Sequence, residues 1–212
     1  MSKFETRREF LVNAGKIALG AAALSVVSPV AAVVAETAEH PYTYAKIDPE
    51  LAADRAYARF SELGGCCVGV VAGIVDCLAE AVGAPFTTFP VQMFQNGAAG
   101  YGQNSLCGCL GGASAVIGLV APTAADSKAI LKEVMTWYKE STLPTYDRGS
   151  APAIAQVVPG SVNCVDSVMK FFEAAPSVEY SMSHPDRINR CACLTADVAR
   201  KTAEALNAFF GL

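Results

Sequence analysis

The chain has 212 residues, 52% of them hydrophobic, with 16 Lys and Arg against 20 Asp and Glu and a formal charge of −4 at pH 7. This acidic balance offers no attraction to a phosphate backbone, so nucleic acid is excluded as a partner. The length suffices for one domain with a hydrophobic core, so the 8 cysteines are not needed to rescue a tiny fold.

In chain order, the first element is an export signal. Thr6-Arg7-Arg8-Glu9-Phe10-Leu11 precedes a weakly apolar stretch rich in Ala and Gly, from Ala14 to Ala35, that ends in Val33-Val34-Ala35. This reads as a paired-arginine start with cleavage after Ala35. Lys16 and the glycines interrupt the run, and a spanning helix wants about 20 predominantly apolar residues. The pattern resembles the twin-arginine signal of bacteria, which implies passage through the twin-arginine translocase as folded cargo and a periplasmic location. The expected organisation is a signal peptide over 1–35, a linker over 36–46 and a helical domain over 47–212.

Helices follow almost everywhere. Asp48-Pro49-Glu50 is a helix start, with Ala52, Ala56, Phe60 and Leu63 at helical spacing and Gly64-Gly65 as the stop. A second apolar helix runs from about Cys66 to Val82, ended by Gly83 and Pro85. Residues 90–106 begin as a short helix and become a loop with glycines at 97, 100 and 102. Cys107 opens an apolar helix to Val120, and 123–141 is amphipathic. A long loop spans 143–160, and Ser161 caps a helix carrying Cys164, Val165, Val168 and Phe172. A final helix over about 187–209 carries Cys191, Leu194, Val198, Ala205 and Phe209 on one stripe, with Cys193 off it. Period-2 alternation is nearly absent. The fold class is all-α: a single compact domain of five to seven helices with long glycine- and proline-rich loops.

The cysteines fall near helix starts. Cys66 and Cys67 follow Gly64-Gly65, Cys107 follows the glycine loop, Cys164 lies three residues after Ser161, and Cys191 follows Pro185. A helix N-terminus favours thiolate over thiol, and thiolates are what metals and iron–sulfur clusters require. Cys77, mid-helix on an apolar face, reads as a core residue. Residues i and i+2 of a helix face different ways, as do adjacent residues. A shared site should therefore take one cysteine from each of four segments, leaving Cys67, Cys109 and Cys193 as alternates.

Cys107-Gly108-Cys109-Leu110-Gly111-Gly112 resembles the CGAxxG motif of the C_GCAxxG_C_C family of redox-active proteins, with Cys109 in place of the alanine and Gly112 as the last glycine. The flanking cysteines fall in the family's order, and the likeness spans roughly 55–205. The resemblance implies four site cysteines, Cys66, Cys107, Cys164 and Cys191, with Cys67 a weaker choice than Cys66. The family is similar to the split-Soret cytochromes c, which bind haem and are associated with an iron–sulfur centre. This chain has no Cys-x-x-Cys-His, so covalent c-type haem is not expected. His40 and His184 read as surface or capping residues.

Three readings follow. The first is an exported carrier holding an iron–sulfur cluster, of the two-iron kind, on four thiolates and passing electrons to a periplasmic electron-transfer protein or oxidoreductase. The second is metal-free thiol–disulfide chemistry, with Cys107 attacking and Cys109, Cys164 or Cys191 resolving. The third is a structural zinc or disulfide framework. A homodimer is an expectation from the resemblance and the small-residue helices.

Overall fold

The computed structural model describes residues 39–147 and 153–212. The signal-peptide reading of residues 1–35 therefore lies outside the described residues. Six α-helices occur among them: α1 Pro49–Leu63, α2 Cys66–Ala81, α3 Gly108–Val120, α4 Ala124–Glu140, α5 Cys164–Ala174 and α6 Pro185–Phe210. Between α2 and α3 lie tight helical turns over Phe86–Thr88, Val91–Gly97 and Gly100–Asn104. Extended pairing among the described residues is limited to two isolated bridges, Leu106 with Asn163 and Leu143 with Val157. The all-α expectation holds, and Ala38–Leu212 forms one compact unit.

Helix α2 is the centre of the domain, packed by α1, α3 and α6. Every residue from Cys66 to Val75 is buried, as expected of a helix that is apolar all round. Its glycines admit its neighbours: a methyl group on Gly73 would lie 2.6–2.8 Å from backbone and Cβ atoms of Ala56 in α1. Gly112 of α3 faces α2 in the same way, with Cys67 O 2.6 Å from where its Cβ would be. Small residues thus bring three helices close enough for their ends to share a site.

The caps account for the boundaries. Asp48 accepts from Glu50 N at 2.9 Å, and Gly64 ends α1 in the left-handed region at φ 83°. Helix α6 starts at Pro185, earlier than its spacing suggests, because His184 Nδ1 accepts from Asp186 N at 3.2 Å. Ser161 does not cap α5. It accepts from Asn163 N at 3.1 Å, Asn163 takes the N-cap position, and Cys164 becomes the first helical residue.

Residues 40–47, expected to belong mostly to a linker, are instead a strap on the domain. His40 Nε2 donates to Gly118 O at 2.7 Å and Tyr42 N to Leu119 O at 2.8 Å. Tyr44 OH donates to Asn207 Oδ1 at 2.8 Å, and Asn207 Nδ2 donates to Ile47 O at 2.8 Å. Tyrosines and a buried Ile47 supply apolar surface that a free linker lacks. The loop after α4 is pinned likewise: the buried Asp197 accepts from Thr145 N (2.6 Å), Thr145 Oγ1 (2.7 Å), Tyr146 N (2.9 Å) and Arg200 Nη1 (2.9 Å). No helix among the described residues is long and apolar enough to cross a membrane.

Candidate metal centre

Five of the eight cysteines, Cys66, Cys107, Cys109, Cys164 and Cys191, line one cavity of about 440 Å³. Cys66 is the first residue of α2, Cys107 the N-cap of α3 and Cys164 the first residue of α5, whereas Cys191 lies about two turns into α6. Three helix N-termini therefore meet at the sulfurs, where partial positive charge and free N–H groups favour thiolate.

Local backbone geometry brings these starts together. Cys107 N donates to Val162 O at 2.8 Å and Cys164 N to Ser105 O at 2.6 Å, framing the Leu106–Asn163 bridge. That bridge sets Cys107 beside Cys164 although α3, α4 and the loop after them separate the two in the chain. Gly108 is required between the two motif cysteines, because a Cβ there would collide with Cys66 Sγ and Gly97 O. The wall toward residues 97–105 is strained: Ala99, Tyr101 and Asn104 all have positive φ, at 50°, 58° and 55°.

The sulfurs divide electrostatically. The thiol of Cys109, hydrogen-bonded to both Cys107 and Cys66, stays protonated well above the usual range. Its hydrogen bond is the main cause that brings Cys107 down to about 6, against burial, with help from the Tyr138 hydroxyl, the Cys109 N–H and Arg190. Cys66 is lowered for the same reason, with added backbone N–H groups from Ala99 and Cys67. Burial, then the neighbouring Cys107, pushes Cys164 up to about 12. Burial also raises Cys191, with Arg190 and Arg187 opposing it.

The remaining cysteines lie elsewhere. Cys67 points to Gly97 and the Tyr101 hydroxyl, and burial raises it to about 11. Cys193 packs with Ala53, Tyr146 and Ala196, and Cys77 sits in the main core. Of the alternates, then, only Cys109 reaches the cavity. The expectation that it faces away from Cys107 fails for a definite reason: Cys107, at ψ 128°, precedes the helix, so helical divergence at i and i+2 does not apply to the pair. All eight cysteines are free thiols.

Sequence reasoning passed over the polar neighbours. Arg187 and Arg190 line the cavity with Ser167. Arg187 Nη1 lies 3.7 Å from Cys191 Sγ, and Arg190 Nη2 donates to Ser167 Oγ at 2.6 Å. The Nε of Arg190 is buried without a hydrogen-bond partner. The one available signal was spacing, since Arg187 stands four residues before Cys191 and so shares its helix face. Among the described residues, no three Cys, His, Asp or Glu side chains stand close enough to hold a single metal ion.

Comparison with known proteins bears on this site. A family model described as "Putative redox-active protein (C_GCAxxG_C_C)" matches residues 53–205. Split-Soret cytochrome c of Desulfovibrio desulfuricans is 30% identical over 219 residues, covering 95% of this chain and 77% of that protein. The solved structure described as "A novel iron centre in the split-Soret cytochrome c from Desulfovibrio desulfuricans ATCC 27774" superposes with a TM-score of 0.74 at 29% identity, over 80% of this chain and 72% of that one. The family's pattern is GCAxxG, not the CGAxxG expected above, so Gly112 is not its last glycine, and it fits in two registers. On Cys107 it keeps the final glycine as Gly111, and on Cys109 it keeps the leading glycine as Gly108. Both sulfurs reach the cavity, so neither register removes a cysteine from it.

Proposed function

This chain belongs to the C_GCAxxG_C_C family of redox-active proteins and is related to split-Soret cytochrome c, and from that premise we propose that it is an exported electron carrier holding an iron–sulfur cluster of the two-iron kind. The observation that carries the reading is the convergence of sulfurs from the starts of α2, α3 and α5 and from α6 on one cavity. Cys66, Cys107, Cys164 and Cys191 are the ligands, and Cys109 is a protonated neighbour that hydrogen-bonds to two of them. When bound, a cluster supplies reversible storage of one electron.

The residues fit such a group. Their donors are thiolate-forming sulfurs backed by N–H groups, and Phe60, Val168 and Leu194 give the cavity an apolar lining that tunes potential by excluding water. Among the described residues no three such side chains form a site for a single metal ion, which favours a group of several atoms over a structural zinc. The haem in the relative's name does not carry over, because the chain lacks Cys-x-x-Cys-His. The signal read in residues 1–35 supports a periplasmic carrier, whose partner on this reading is an electron-transfer protein or oxidoreductase.

One observation favours a second reading. Cys107, lowered to about 6, is hydrogen-bonded to the Cys109 thiol, the arrangement of an attacking thiolate with a resolving thiol. Closing a Cys107–Cys109 disulfide would release two electrons and the thiol proton, reducing a disulfide of the partner to one thiol and one thiolate. Anaerobic purification separates the readings. A brown protein with equal iron and acid-labile sulfide supports the cluster. A colourless, metal-free protein whose thiols cycle with dithiothreitol refutes it and supports the dithiol.

A further inference from the structure

Arg190 is one of the largest fully buried side chains in the domain, 1% exposed. A guanidinium stays charged in a protein, and a buried charge requires a partner of opposite sign or costs several kcal/mol. No carboxylate among the described residues supplies one. The described ion pairs of the domain lie elsewhere, between Arg55 and Glu80, Arg59 and both Glu62 and Asp76, His184 and Asp186, Lys201 and Glu133, and Arg200 with Glu50 and Asp197. The one carboxylate buried among the described residues, Asp197, is held by the Thr145–Tyr146 loop and Arg200.

What Arg190 does meet is the sulfur set. One nitrogen is anchored on Ser167 Oγ at 2.6 Å, its Nε has no partner, and the side chain lines the cavity with the five cysteines. Cys191, the Tyr138 hydroxyl and Cys107 are the acidic groups that act on it, and of these Cys107 is the one lowered toward thiolate. Arg187, one turn earlier on α6, is only half-buried and is occupied by the carbonyl of Met182 and by Cys191 Sγ. Its charge is accordingly more screened by water.

We infer that Arg190 is a positioning residue: it ligates nothing, and its buried charge is the fixed countercharge of the sulfur site, favouring the one-electron-reduced state over the oxidised one. The inference rests on the proposed cluster. In the step it governs, one electron arrives from the partner protein, no proton moves, and no bond forms or breaks. The site becomes one charge more negative, which a fixed cation in a poorly screened cavity stabilises.

The test uses the full chain, loaded anaerobically, with iron and sulfide measured before redox titration. The variants are Arg190→Met and Arg190→Gln, which are neutral, and Arg190→Lys, which keeps the charge. Replacing a buried ion by an apolar residue is often tolerated by the fold, and Arg190→Gln retains a donor to Ser167. Both neutral variants should bind iron and lower the reduction equilibrium at least tenfold, a 59 mV fall in midpoint for one electron. Arg190→Lys should recover most of that fall. Loss of iron in the neutral variants with retention in Arg190→Lys would support the same role at assembly. Iron-loaded neutral variants with less than a tenfold shift would overturn the inference alone, as would equal loss of iron in all three. A wild-type chain without iron and sulfide would bring down the proposed function, and this inference with it.

Discussion

Replacing Gly112 with alanine probes the contact that sets the cavity's geometry. In a helix interior, alanine is normally favoured over glycine by about 1 kcal/mol. Here the added Cβ would stand 2.6 Å from Cys67 O and 2.9 Å from Val70 Cβ, well inside ordinary van der Waals contact. Neither neighbour can swing away, since one is backbone of the central helix and the other a β-branched side chain on it. Overpacking of this kind costs about 1–3 kcal/mol, which less the helix preference leaves a net loss of up to about 2 kcal/mol. For a domain of this size, that lowers the melting temperature by up to about 8 °C. Gly118 provides the control on the same helix: nothing lies within 4 Å of its would-be Cβ, so Gly118→Ala should stabilise by about 0.5–1 kcal/mol. Thermal unfolding of the metal-free proteins, followed by circular dichroism side by side, reads both signs. A Gly112→Ala variant melting at or above the wild type would refute the close-packing argument, and with it the idea that α3 is held against α2 by the absence of a methyl group.

The serine series sorts the cysteines: Cys66→Ser, Cys107→Ser, Cys164→Ser and Cys191→Ser should each cut bound iron severalfold, whereas Cys77→Ser and Cys193→Ser should leave iron per folded chain unchanged. In the metal-free protein, Cys107 is a thiol below its value of about 6 and a thiolate above it. Its alkylation by iodoacetamide, read by peptide mass spectrometry, should therefore rise between pH 5 and 7 and then level off, while Cys164, pushed up to about 12, should remain slow through pH 9. A rate that climbs only above pH 8 would contradict the hydrogen bond from Cys109. Asp197→Ala removes the acceptor for Thr145, Tyr146 and Arg200 and should destabilise by about 3 kcal/mol or more, with denaturant titration as the measure.

The sequence made the helices legible because their signals are local. Asp48 with Pro49, Gly64, and Gly83 with Pro85 each act within a turn of themselves, and apolar spacing does the rest. The cavity was legible for a similar reason: glycines ahead of Cys66 and Cys107 mark helix starts, and a helix start is a place for a thiolate. Three features were not legible. The Leu106–Asn163 bridge joins distant segments, and nothing local announces it. The position of Cys109 hinged on whether Cys107 is the first helical residue or the cap before it, a one-residue difference that reverses which way the pair diverges. Arg190 reads in sequence as a surface charge on an amphipathic helix, and only the packing of α4 and α5 over it reveals burial. The strap at 40–47 was missed because Tyr42 and Tyr44 form no periodic pattern, although two tyrosines so close to a helix start carry more apolar surface than a linker needs.

The order of the site along the chain has a consequence for biosynthesis. Cys66 is made early, but Cys191 and Arg190 arrive with the last helix, and the cavity has no closing side until α6 lies against α1 and α2. A ribosome-bound or truncated chain therefore presents isolated thiols and no enclosure. On the proposed function, iron delivered too soon would meet separate ligands, and iron delivered after release would meet the assembled set. Retained iron in a cell extract would thus count finished molecules, and any nick or truncation that frees α6 would register as loss of colour before loss of helix.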